Sequence, residues 1–238
     1  MNECRFFRDK FPNPYTIWIN GKDVRDYHAL VESFSIGGTP VKNEIFQGRN
    51  RTSWTQLSYT VGMRSITFTL FFSGPDRRAL TLDKSAVDAL MIGKVELHMP
   101  DGFYYTSSLK SLGDLKILGV EGNRVIGLCT YKLEGVRHDE LQTVNGNTVY
   151  AQGTMPRMDC ILSCVASRTY NDLGLGPVNF KNVPAGATVV ADGMEGRLLI
   201  NGEPAPSVSF LRLPFLVPGR QGIYCPETLT VQYYPTYI

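Results

Sequence analysis

The stretch Val208–Ile238, VSFLRLPFLVPGRQGIYCPETLTVQYYPTYI, decides the fold. Its first ten residues are mostly apolar, Pro218-Gly219 follows, and apolar and polar positions then alternate to the last residue. A membrane-spanning helix needs about 18 apolar residues in a row. Arg212, Pro214, Pro218 and Arg220 interrupt this run. A disordered tail would lack the alternation, because it has no face to bury. Period two marks strands with one buried face, here with LVPGRQG expected as the turn between them. The stretch reads as the closing strands of a β domain.

The residues before it carry the same signature. TVYAQ, RMDCILSCVA, VNF, ATVVAD, RLLING, SVSFLRL, GIYC and TLTVQYY recur about every ten residues with glycine or proline turns between them, the spacing of a β-sandwich. The sandwich is expected over 148–238. Ahead of it, LEGVRHDELQTVNGNTVYAQG is polar and holds Asn145-Gly146, so the seam between two domains is expected at 142–147.

The region 1–141 mixes strands with a helix. YTIWI is a short strand ended by the turn dipeptide Asn20-Gly21, and SIGGTPVKNEIFQGRNRTS is a polar, glycine-bearing stretch. In MRSITFTLFF, Ile66, Phe68, Leu70 and Phe72 alternate with Ser65, Thr67 and Thr69; Phe71 breaks the pattern and points to a second apolar surface. Ser73-Gly74-Pro75-Asp76 is helix-start chemistry, and Leu80, Val87, Leu90 and Met91 then fall near one helical face, with Gly93 placed as a C-cap. KVELHMP, GFYYTSSL, LKILGV and RVIGLCTYKL read as strands. The fold class is mainly β with one helix.

Composition limits the function. The 238 residues suit two modest domains, and 43% hydrophobic with 19% charged residues is a globular balance. The net charge is +2, and from Leu141 onward six basic residues face six acidic ones. Neither half has the basic surplus that holding a phosphate backbone requires, so no sequence-specific nucleic acid is expected. No segment is suited to membrane insertion. MNECRFFRDKFPNPY lacks an apolar signal region, so synthesis and folding in a cytoplasm are expected. The five cysteines are odd in number and follow no framework, so reduced thiols are expected. Cys160 and Cys164 lie on one face of a strand, where four residues span about 13 Å, too far for one zinc or one disulfide.

Chemistry-bearing motifs are scarce. His138-Asp139 has the form of a metal-binding pair, but only His28 and His98 remain to complete such a site. No GxSxG, HExxH, P-loop or GxGxxG occurs, so no enzyme activity, metal or cofactor is expected. FQGRNRTSWTQLSYTVGMR interleaves Arg49, Arg51 and Arg64 with Trp54 and Tyr59; with no wider basic field, Arg49, Arg51, Trp54 and Tyr59 point to a subunit contact. In PDGFYYTSSLKS, Phe103, Tyr104 and Tyr105 follow a turn, and both a protein contact and packing on the core remain open.

In order, WINGKDVRDY, RSITFTLFFSGPDRRAL and GKVELHMPDGFYYTSSLKS resemble the N-terminal domain of siphophage distal tail proteins. VVADGMEGRLLINGEPA, LPFLVPGRQGI and TLTVQYYPTYI resemble that family's C-terminal hairpin and closing strands, so the resemblance runs from about Trp18 to Ile238. It implies a homohexameric ring, single or stacked, built by the N-terminal domains around a channel for DNA at the virion tail tip. It further implies a C-terminal galectin-like sandwich, and the tail tube, tape measure and tail-tip hub or receptor-binding proteins as partners. The galectin-like fold raises an alternative, carbohydrate binding for host-surface recognition. Galectins stack sugars on a Trp beside a His; here Trp18, Trp54 and all three histidines precede residue 139, leaving Tyr170 and Tyr224 as the candidate platform.

Overall fold

In the computed structural model, which describes residues 16–47, 49 and 53–238, the chain folds as two units, Met1–Arg137 and His138–Ile238. In the first unit, β1 (Trp18–Ile19) and β2 (Lys22–Asp23) form a hairpin through Asn20-Gly21. Both turn residues have positive φ, 49° and 75°, the conformation that a tight two-residue hairpin demands. The strand expected over YTIWI is thus shorter, and its Tyr15 lies outside the described residues. Then come β3 (Ala29–Ile36), β4 (Val41–Phe46), β5 (Thr55–Val61) and β6 (Arg64–Gly74). The helix α1 (Arg77–Leu90) starts where Asp76 Oδ1 accepts a hydrogen bond from the Ala79 N–H at 2.8 Å, an N-cap of the expected kind. Strands β7 (Lys94–His98), β8 (Tyr104–Leu112), β9 (Lys116–Glu121) and β10 (Arg124–His138) complete the unit.

Its main sheet runs β2-β1-β7-β8-β10-β6-β3, with β9 continuing beside β10. One face of α1 and the residue that follows it close the core: Leu80 and Val87 of the helix and Met91 at its C-cap are fully buried with Ile66, Phe68, Leu70 and Phe72 of β6. Leu90, expected on that face, is only half-buried against it. Phe71 pairs with Leu128 and is buried on the opposite face of β6, as the break in alternation implied.

The second unit begins earlier than expected. Residues 142–145, taken as connecting chain, form β11 (Gln142–Asn145), paired with β22 (Thr230–Tyr233). A polar edge strand and a linker look alike in sequence, because neither shows two buried faces. Between them run β12 (Thr148–Ala151), β13 (Met158–Val165), β14 (Tyr170–Leu175), β15 (Val178–Val183), β16 (Thr188–Asp192), β17 (Arg197–Ile200), β18 (Glu203–Pro204), β19 (Val208–Phe210), β20 (Phe215–Leu216) and β21 (Gly219–Gly222), with β23 (Thr236–Tyr237) last. A sheet in the order β11-β22-β13-β16-β17-β18, with β20 on β13, shares one core with the three strands β14-β15-β19. Met158, Cys160, Leu162, Cys164 and Ala166 all point into that core, as their alternation required. Two details differ from the sequence reading. LVPGRQG holds strand β21, paired with β12, and GIYC lies mostly in the irregular segment 223–229.

Candidate assembly interface

Strands β3 and β6 pair within the main sheet, and their continuations β4 and β5 pair, among the described residues, only with each other. The two glycines at the root explain the transition. A side chain at Gly37 would sit 2.4 Å from Ser65 Oγ, and one at Gly62 would sit 2.9 Å from Pro40 Cγ. The Gly62 N–H donates to Pro40 O at 2.8 Å and the Gly37 N–H donates to Ser65 O at 2.8 Å, clamping the ribbon as it leaves the sheet.

The register divides the hairpin into two unlike faces. Val41 lies opposite Val61, Asn43 opposite Tyr59, and Ile45 opposite Gln56, so these residues share one face with Trp54. The other face carries Lys42, Glu44, Ser58 and Thr60, with Phe46, and Ser58 Oγ donates to Glu44 Oε2 at 2.6 Å. A bulge falls at Leu57, which is 66% exposed. On the apolar face Ile45 is 59% and Trp54 58% exposed. A two-stranded ribbon is marginal on its own in water, and an apolar face without cover marks an interaction surface.

Of the contacts expected from sequence, Arg49, Trp54 and Tyr59 lie exposed on this hairpin, while Arg51 falls outside the described residues. The sequence reading missed Val41, Ile45 and Leu57. The alternation in VKNEIF and TQLSYTV was the available signal, masked by the polar residues between. The second aromatic cluster behaves differently. Tyr105 is fully buried in the core, its hydroxyl donating to Asp101 Oδ2 at 2.6 Å, so as a partner contact it is corrected. Burial and the Asp101 carboxylate push its pKa up. Tyr104 stacks on His98 at 4.5 Å between ring centres, and Arg137 lies 4.7 Å over Phe103. A second exposed apolar group lies on β9, whose one strand neighbour among the described residues is β10: Ile117, Leu118 and Val120, the last 71% exposed.

In the second unit the two candidate platform residues separate. Tyr170 is committed: its hydroxyl donates to Glu227 Oε1 at 2.6 Å and Arg168 covers its ring. Tyr224 lies against the backbone of Gly174, where a side chain would meet its ring at 3.0 Å, and it is 74% exposed. Among the described residues no group of three or more His, Cys, Asp or Glu is placed to hold a metal. His138 Nδ1 lies 2.8 Å from the carbonyl oxygen of Asp139, and among the described residues no further histidine or carboxylate completes a metal site with that pair.

The fold is that of phage baseplate-hub proteins of the Dit type. The crystal structure of SPP1 Dit (gp 19.1), described as a paradigm of the hub adsorption apparatus in phages infecting Gram-positive hosts, matches with a TM-score of 0.70. The two are 12% identical, and the match covers 94% of this chain and 99% of that one. A chain of the phage P2 baseplate in its activated conformation with Ca matches with a TM-score of 0.54 at 12% identity, over 92% of this chain and 97% of that one. No protein-family model matches the chain, and no curated protein matches it in sequence.

Proposed function

We propose that the chain is a structural subunit of a phage tail tip, assembling through its first unit into a hexameric ring that joins the tail tube to the tail-tip hub and surrounds the path of the DNA. The observation that carries this reading is the uncovered apolar face of the β4–β5 hairpin, on a chain whose fold matches that of SPP1 Dit over 94% of its length. A closed ring uses a heterologous contact, in which one patch meets a different patch on the next copy. The first unit supplies two such patches, the hairpin face with Ile45, Trp54 and Tyr59, and the open β9 edge with Ile117, Leu118 and Val120. We assign them to each other. A net charge of +2 suits a channel that DNA passes through without being held.

The second unit, read as a galectin-like sandwich, then faces the hub and receptor-binding proteins, and the role involves no catalysis. The double variant Ile45→Asp/Trp54→Asp tests the assignment. It should remain a single copy by native mass spectrometry while melting within about 2 °C of the parent, since both side chains are exposed. A double variant that still assembles overturns the assigned contact. A second reading, sugar recognition, is favoured by one observation, the open ring of Tyr224 on Gly174. With no Trp or His beside it, glycan arrays probed with the full chain should show no specific binding. A hit abolished by Tyr224→Ala would promote that reading.

A further inference from the structure

Two guanidiniums share one aromatic ring on the second unit. The Arg157 and Arg212 head groups lie 4.5 Å and 4.6 Å from the centre of the Phe215 ring. Strand register explains how they meet. Met158 pairs with Leu216 and both are buried in the core, so Asp159 and its partner Phe215 are turned outward. Arg157 Nε donates to Asp159 Oδ1 at 3.1 Å, which keeps it on that same side. Arg212 comes back to the ring from the segment between β19 and β20. That segment is held in place: the Cys160 N–H donates to Pro214 O at 3.2 Å, and a side chain at Gly193 would collide with that oxygen. The charges do not balance. Among the described residues, Asp159 is the one carboxylate paired with either arginine, and it is taken by Arg157. The ring face attracts both cations and holds them at one place. A guanidinium held in this way loses little freedom on binding, and its fork matches the two oxygens of a carboxylate. Leu211, the residue before Arg212, is 97% exposed.

We propose that Arg212 and Arg157, gathered on Phe215, form a docking site for an acidic peptide segment of a neighbouring tail-tip protein, one that carries an Asp or Glu beside an apolar residue. The carboxylate takes the Arg212 fork and eases the repulsion between the two guanidiniums, and Leu211 covers the apolar residue next to it. A phosphate polymer is the poorer match. Holding one requires a wide field of cations, and from Leu141 onward six basic residues face six acidic ones. The site rests on the proposed hub-facing role of the second unit only for the source of the peptide.

The test incubates the full chain with an array of short synthetic peptides of random composition, phosphoserine peptides among them, and measures the selected ones by fluorescence anisotropy. Selected peptides should share an Asp or Glu next to Leu, Ile or Phe. Changing that acid to Asn or Gln should weaken binding about tenfold, the scale of one charge-assisted pair. Arg212→Gln should cause the same loss, and Leu211→Ser should remove the preference for the apolar neighbour. Arg220→Gln, at an exposed arginine on β21, should change nothing. All three positions are exposed, so the variants should melt with the parent. No selection above background, undiminished binding by Arg212→Gln, or an equal loss in Arg220→Gln overturns the site. Tighter binding of the phosphoserine peptides overturns the carboxylate partner, and an altered native mass in Arg212→Gln overturns it in favour of a second copy of this chain. Ring assembly is read separately on the hairpin variant, so failure of one proposal is distinguishable from failure of the other.

Discussion

Asn147 stands in for a missing strand. Its Nδ2 donates to Cys225 O and Glu227 O, each at 2.9 Å, and its Oδ1 accepts from the Leu229 N–H at 3.0 Å. The segment 223–229 has no ladder of its own, so one side chain satisfies three backbone groups that would otherwise be unpaired. Asn147→Ala should cost about 2–4 kcal/mol of stability, read from urea unfolding; a loss below about 0.5 kcal/mol would refute this role. Glu227 acts next to it. Ser167 Oγ and the Tyr170 hydroxyl donate to Glu227 Oε1, each at 2.6 Å, and the Ser167 N–H donates at 2.7 Å. These bonds hold its carboxyl below the ordinary range. A depressed carboxylate adds stability that is present above its unfolded value, about pH 4.3, and lost as pH falls through the lower folded value. Glu227→Gln should therefore flatten the acid side of the stability curve below about pH 4.3, and an unchanged acid limb would contradict it. None of this was legible in sequence. Asn147 reads as part of a polar seam. The burial of Cys160 and Cys164 was legible, because alternation on a strand fixes which side chains share a face.

At the scale of elements, α1 and β6 were the clearest in the sequence. Both have a two-sided pattern, an apolar face toward the core and a polar face away from it. Leu80→Ala should leave a cavity costing about 2–5 kcal/mol, since Leu80 is fully buried. Leu90→Ala should cost less than about 2 kcal/mol, because its side chain already meets solvent. Equal losses in thermal or urea melts would mean that the helix face is rotated from its observed position. Strands at the margins were hidden. β3 is the sheet's last strand and β11 borders its own sheet, so their outward residues are polar and give no second face to detect. Limited proteolysis should spare Gln142–Asn145 while they pair with β22; cleavage there ahead of all other sites would contradict β11. The β4–β5 hairpin was hidden for the opposite reason. Its apolar face is turned outward, and a sequence reader looking for core finds none.

For the whole molecule, two β units in one chain follow from the sequence alone: alternation, turn dipeptides and a single amphipathic helix leave little else. The fold was recognisable by the order of its motifs, although identity to SPP1 Dit is only 12%. The sequence pointed to Trp54 and Tyr59 as contact residues but left open the apolar face they belong to, since such a surface is defined by what the folded chain fails to cover. The hairpin face with Ile45, Trp54 and Tyr59 is such an uncovered surface, and the proposal is that a further copy covers it. The most direct measurement is the native mass of the full 26.5 kDa chain across a concentration series, alone and with the tail tube protein. A ring-forming subunit gives species of six or twelve copies, lost in Ile45→Asp/Trp54→Asp. A single copy under every condition would contradict it.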